Sequence, residues 1–100
     1  MSTPTGLSAA EIGLLAAVLR QYPQVERGVL FGSRAKGNAR PNSDIDLALY
    51  GSIDDLTVER IAMAMDELPI PYLFDVKAVA SLKNPALIDH IQRLGIPIYP

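Results

Sequence analysis

Asp44 and Asp46 follow Ser33 by eleven and thirteen residues, after the run Leu30-Phe31-Gly32-Ser33-Arg34-Ala35-Lys36-Gly37. These are the residues whose types and spacing are equipped for chemistry. Residues i and i+2 of a strand point to one face, so the two carboxylates stand side by side. Like charges that close repel unless a cation sits between them. Upstream, a Gly-Ser turn offers backbone N–H groups and a hydroxyl, which suit a phosphate. A phosphate cradle beside a divalent-metal site is the equipment of nucleotide chemistry.

Magnesium takes oxygen ligands at about 2.0–2.1 Å, shared between one or two carboxylates and substrate phosphates. Asp44 and Asp46 can supply the protein's share; their bland alternative is two exposed polar residues on a half-buried strand. Aspartate is a poor strand former, which weighs against that alternative. Where two ions lie about 3.5–4 Å apart, a third carboxylate completes the set. Asp75, in Leu73-Phe74-Asp75-Val76-Lys77, is the candidate. A strand adjacent to that of Asp44 brings it onto the same face; the alternative is a salt bridge to Lys77, Arg34 or Lys36. Gly32 lets backbone approach a triphosphate without steric cost, and Ser33 donates a hydroxyl and an N–H. Arg34 and Lys36 either neutralise phosphate charge or are solvated surface cations, and Arg40 is a weaker candidate of the same kind.

The elements that must position these residues follow from periodicity. Residues 1–7 read as a flexible N-terminal tail and 8–100 as one domain. Ser8-Ala9-Ala10-Glu11 has the capping-box pattern, with a helix running to about Gln21. A strand over Val25–Phe31 leads into the Gly32–Gly37 turn and a loop through Ser43. Asp44–Tyr50 is the clearest strand, alternating Ile45, Leu47 and Leu49 with Asp44, Asp46 and Ala48. A second helix spans about Asp54 or Asp55 to Glu67, and a third strand Tyr72–Val79. Asn84-Pro85 starts a last helix that ends at Gly95. Ile96-Pro97-Ile98-Tyr99 is an edge segment, its proline excluding a sheet centre. The order α-β-β-α-β-α implies an α/β (α+β) fold, a small mixed β-sheet covered by helices.

Composition narrows the classes. The chain has 100 residues, 49% hydrophobic and 20% charged, with a formal net charge of -2. That balance argues against strong nucleic-acid binding, which needs a dense positive face. No cysteine is present, which excludes disulfides, zinc–thiolate sites and thiol catalysis and fits a cytoplasmic protein. The N-terminus lacks the pattern of a signal peptide, and no apolar stretch is long enough to span a membrane.

Gly32-Ser33, ten intervening residues, then Asp44-Ile45-Asp46 and a later strand with Asp75 together resemble the DNA polymerase beta-type nucleotidyltransferase superfamily, and specifically its minimal nucleotidyltransferase (MNT) members. The resemblance implies that the polymerase beta-type core occupies 8–100. It implies that Asp44 and Asp46 hold two Mg²⁺ ions, with Asp75 joining the second and assisting deprotonation of the attacking hydroxyl. It further implies that Gly32 and Ser33 hold the triphosphate. Small members of this type resemble antitoxins paired with HEPN-domain ribonuclease toxins. That implies AMP transfer from ATP to a tyrosine hydroxyl of a HEPN partner (AMPylation). The larger members' extra helical domain has no counterpart here, so the expectation is that a partner closes the site, that the chain forms a homo- or hetero-oligomer, or that its activity is weak.

Two other classes remain open: an antitoxin that acts by steric binding alone, and a small-molecule (antibiotic) nucleotidyltransferase. His90, the sole histidine, reads as a surface or partner-facing residue of the last helix. Tyr50, Tyr72 and Tyr99 read as core or edge, Met63 and Met65 as packing. Leu87, Ile88, Ile91 and Leu94 form an apolar helix face suited to core or interface.

Overall fold

The computed structural model describes residues 7–32, 44–70 and 72–100. Helix α1 (Ala9–Arg20) begins at Ser8, whose hydroxyl accepts from Glu11 N–H at 3.1 Å while Glu11 accepts from Ser8 N–H at 2.9 Å. Leu7, assigned to the tail from sequence, is instead fully buried with the core. It precedes the N-cap, and Ile12 at the fourth helical position packs on the same cluster. That is the residue pattern of a hydrophobic staple, which fixes how the chain enters the helix. The remainder of the expected tail, residues 1–6, lies outside the described residues.

Strand β1 (Val25–Phe31) pairs antiparallel with β2 (Ile45–Gly51). Helix α2 (Asp55–Asp66) crosses to β3 (Phe74–Ala78), which pairs parallel with β2 and ends in a 3₁₀ turn over Val79–Ser81. Helix α3 (Pro85–Leu94) then leads into β4 (Ile96–Tyr99), antiparallel to β1. The mixed four-stranded sheet runs β3-β2-β1-β4. β4 holds an outer position, where Pro97 leaves no central ladder short of a donor. The expected order thus gains one terminal strand, and the strand expected over Tyr72–Val79 is shorter at both ends.

Each face of the sheet packs on a different layer. Ile45, Leu47 and Leu49 of β2 enter the main core with Leu15 and Leu19 of α1 and Ile61 and Met65 of α2. The alternate residues face the other way, where Ala48 joins Val29, Phe31 and Ile91 in a smaller cluster with Leu87 packed against it. The apolar face of α3 is therefore core at Ile91 and Leu87, while Leu94 stays 47% exposed. Tyr50, Tyr72 and Tyr99 are all partly buried against these clusters. Among the described residues, no helix is long and apolar enough to cross a membrane.

Two consequences can be measured. Leu47→Ala, at a fully buried position of a central strand, is expected to lower stability by about 2–5 kcal/mol in urea denaturation. Asp54 caps α2, accepting the Thr57 N–H at 2.8 Å. Its carboxyl is held below the usual 3.8, first by the Thr57 side chain and then by that N–H. A lowered carboxyl stabilises above its unfolded value and loses that contribution as pH falls through the folded one. Asp54→Asn caps comparably and cannot titrate. Its stability should match the wild type at pH 7 and decline less steeply below pH 3.8.

Candidate active site

The site lies where β1, β2 and β3 present their smaller-cluster face. Asp46 sits opposite Phe31 of β1 and opposite Asp75 of β3 in the same register. Register partners share a face, and neighbouring strands lie about 4.8 Å apart. The two carboxylates therefore project side by side from adjacent strands. Asp44, two residues before Asp46, precedes the strand and is exposed; Asp46 is half-buried. The Ile45 N–H donates to the Leu73 carbonyl at 2.8 Å. That bond ties the start of β2 to the entry of β3, so this end of the pair cannot splay.

Gly32 closes the site from the β1 side. Its φ is +78°, a left-handed conformation costly for any residue with a side chain. A Cβ there would run into the Asp46 carboxylate. The turn after β1 is therefore in close approach to Asp46, which joins two halves of the sequence motif in space. Ser33, Arg34, Lys36 and Arg40 lie outside the described residues.

Asp75 has a partner. Lys77, two residues on and on the same face, reaches its two carboxylate oxygens at 3.0 and 3.1 Å. The salt bridge weighed against a catalytic role in the sequence is thus present, with Lys77 as the cation. Among the described residues, no three His, Asp or Glu side chains gather closely enough to hold a metal ion. Asp46 and Asp75 share a face, and the Asp75 head group is turned along its own strand toward Lys77. The donor set still suits magnesium. It offers oxygen ligands on adjacent strands, with two protein carboxylates sufficient when substrate phosphates supply the rest, and a glycine turn lies against one of them.

His90 is the residue that the sequence reading missed. Far from lying free on the surface, it is half-buried. Its Nε2 accepts the Gly32 N–H at 3.0 Å. Its ring stands edge-on to Phe31, centroids 6.3 Å apart at 74°. The bond spans 58 positions of sequence, and no local pattern announces it. A cavity of about 310 Å³ lined by Arg27, Val29, Tyr50, Ile91, Gln92 and Gly95 also lies beside α3. None of the carboxylates lines it, so it is separate from this site.

Residues 14–100 match the polymerase beta nucleotidyltransferase domain. The chain belongs to that family. Over 72 residues it is 31% identical to a Haemophilus influenzae protein named "Probable protein adenylyltransferase MntA", a match covering 70% of this chain and 63% of that protein. The chain thus spans less than two thirds of this relative's length. The nucleotidyltransferase fold is shared with a chain from a crystal structure of a toxin–antitoxin with AMP-PNP: TM-score 0.74, 22% identity, 87% of this chain and 71% of that one. It is shared too with a chain of the toxin–antitoxin MntA–HepT: TM-score 0.70, 19% identity, 91% and 71% covered. A third match is to a chain from a tri-AMPylated Shewanella oneidensis HEPN toxin in complex with MNT antitoxin: TM-score 0.68, 18% identity, 89% and 69% covered.

The Gly32 geometry yields a direct test. Gly32→Ala forces a Cβ onto the Asp46 carboxylate in a left-handed conformation. It is expected to cost about 1–2 kcal/mol from backbone strain alone and to weaken Mg²⁺–nucleotide binding at the same time. Denaturant unfolding and calorimetry on one preparation read both. Wild-type values in each would show that the turn does not need glycine.

Proposed function

We propose that this chain is a Mg²⁺-dependent nucleotidyltransferase. It transfers NMP, specifically AMP from ATP, to a hydroxyl of a protein partner, and acts as the antitoxin of a HEPN ribonuclease toxin. The observation that carries the reading is the register of Asp46 against Asp75, with Gly32 closed onto Asp46. The name of the Haemophilus relative and the toxin–antitoxin complexes that share the fold supply the acceptor class and the partner.

Asp44 and Asp46 would hold the metal, with Asp75 joining a second ion. When bound, the metal neutralises triphosphate charge and favours loss of the acceptor's proton. The Gly32 turn and Ser33 bind the triphosphate, and Arg34 and Lys36 offset its charge. The acceptor oxygen attacks the α-phosphorus in line. The bond from that phosphorus to the oxygen bridging to the β-phosphate breaks, and pyrophosphate leaves. Asp75 receives the acceptor's proton. Positioning and electrostatics carry most of the acceleration in such transfers. The site lies in the cytoplasm in this reading, with ATP and the partner.

One observation favours a second reading, neutralisation by steric binding. Lys77 already engages both oxygens of Asp75, as a silent site would permit. The two separate when the protein is incubated with ATP, Mg²⁺ and the product of the neighbouring gene, followed by intact-mass measurement. One or more added AMP masses are expected on the partner. Asp44→Asn, Asp46→Asn and Asp75→Asn should each slow the transfer roughly 100-fold or more, the scale of losing one electrostatic group at a reacting centre. A silenced partner with unchanged mass would instead establish the steric antitoxin, and transfer retained by Asp46→Asn would remove the metal site from the mechanism.

A further inference from the structure

We propose that His90 is a positioning residue for nucleotide binding, holding the Gly32 turn in its binding shape from helix α3. The inference rests on the nucleotide-binding reading of Gly32 above and deepens it.

Two contacts fix the imidazole. Its Nε2 accepts the Gly32 N–H at 3.0 Å, so that nitrogen carries no proton and the ring is the tautomer protonated at Nδ1. Its ring stacks edge-on against Phe31, the last residue of β1 and only 4% exposed. The helix that carries it is itself pinned. Ile91, the next residue, is 2% exposed in the smaller cluster with Val29 and Phe31. At the helix end, a Cβ on Gly95 would run into Val29 Cγ1 and the Ile91 carbonyl, so α3 lies against β1 as closely as glycine allows. A side chain anchored on both sides reaches one backbone donor, that of the residue with φ +78° against Asp46.

Gly32 needs such a restraint. Glycine visits many backbone conformations, and here one is required. Asp46 limits the turn on one side, and the bond to His90 holds it from the other. With its N–H committed to His90, Gly32 contributes shape rather than a phosphate donor. His90 acts through that shape and touches no substrate.

The test compares His90→Asn with His90→Gln in the full chain, using AMP-PNP with Mg²⁺ as the probe. The glutamine amide oxygen reaches about as far as Nε2, whereas the asparagine oxygen falls short. Calorimetric Kd should rise about 2- to 12-fold in His90→Asn, the range of one hydrogen bond, and stay within about twofold of wild type in His90→Gln. The Gly32 amide should be protected from hydrogen exchange in wild type and His90→Gln, and exposed in His90→Asn. In a transferring preparation, KM for ATP should follow the Kd while kcat holds. Equal Kd in all three proteins, equal weakening in both variants, or an unprotected Gly32 amide in the wild type would overturn the proposal. Should His90→Asn fail to fold, the wild-type amide and the His90→Gln affinity still decide. AMP-PNP binding needs no acceptor, so a chain that transfers nothing to its partner sinks the transferase reading without touching this one.

Discussion

Strand β2 is held on both sides, antiparallel to β1 and parallel to β3, and that double pairing constrains everything else in the molecule. Its residues alternate between a fully apolar face, Ile45, Leu47 and Leu49, and a face carrying Asp46, Ala48 and Tyr50. Side chains alternate with a period of two, so a slip by one residue would exchange the faces. Asp46 would then enter the main core, where an ionised carboxylate without partners is very costly, and three large aliphatics would leave it. The hydrophobic effect therefore selects one register, and that register sets Asp46 beside Asp75. Folding energetics and chemical geometry here are one constraint.

The two layers divide the labour unequally. The layer of α1 and α2 contains most of the buried volume, whereas the opposite cluster consists of Val29, Phe31, Ala48 and Ile91. A thin cover lets polar groups stand at its rim. Asp46 is half-buried there, Asp75 is exposed and His90 is half-buried. Helix α3, on that layer, is fixed by close contact with β1. It can therefore carry a precise contact to Gly32, and among the described residues no helix lies over Asp46 and Asp75.

Much of this was legible in the chain where the deciding signals are local. The capping box at Ser8, the Asn84-Pro85 start and the alternation after Asp44 name their elements directly, because caps and periodicity are properties of adjacent residues. The bounds of β1 emerged as expected for the same reason. Adjacency of the Asp75 strand to that of Asp44 entered only as the condition for Asp75 to share its face, and the β2–β3 pairing meets that condition. What eluded the sequence is non-local. Leu7 looked like tail because a single leucine beside Gly6 has no period, although the fold uses it to seat α1. The pairing of β4 with β1 brings together residues 66 to 71 positions apart, Leu30 with Ile96 and Gly28 with Tyr99. The His90 contact depends on how α3 crosses the sheet, which no motif encodes; a lone histidine on an amphipathic helix gives no hint of its partner.

The Lys77–Asp75 pair bears on how such a site can exist before substrate arrives. Two carboxylates in register on neighbouring strands repel, and a nearby cation lowers that cost. Lys77 lies on the same face and supplies it from within the chain. The side chains of Lys77 and Asp75 are 35% and 50% exposed, and ion pairs at such exposure are worth about 0–1 kcal/mol. An interaction that weak relieves the repulsion without committing Asp75. In the proposed reading, a divalent cation brought by a triphosphate would offer Asp75 a stronger partner, and the lysine, on its flexible stem, would yield to it at little cost. The ion pair is thus compatible with a working site, and its weakness is the property that makes it so.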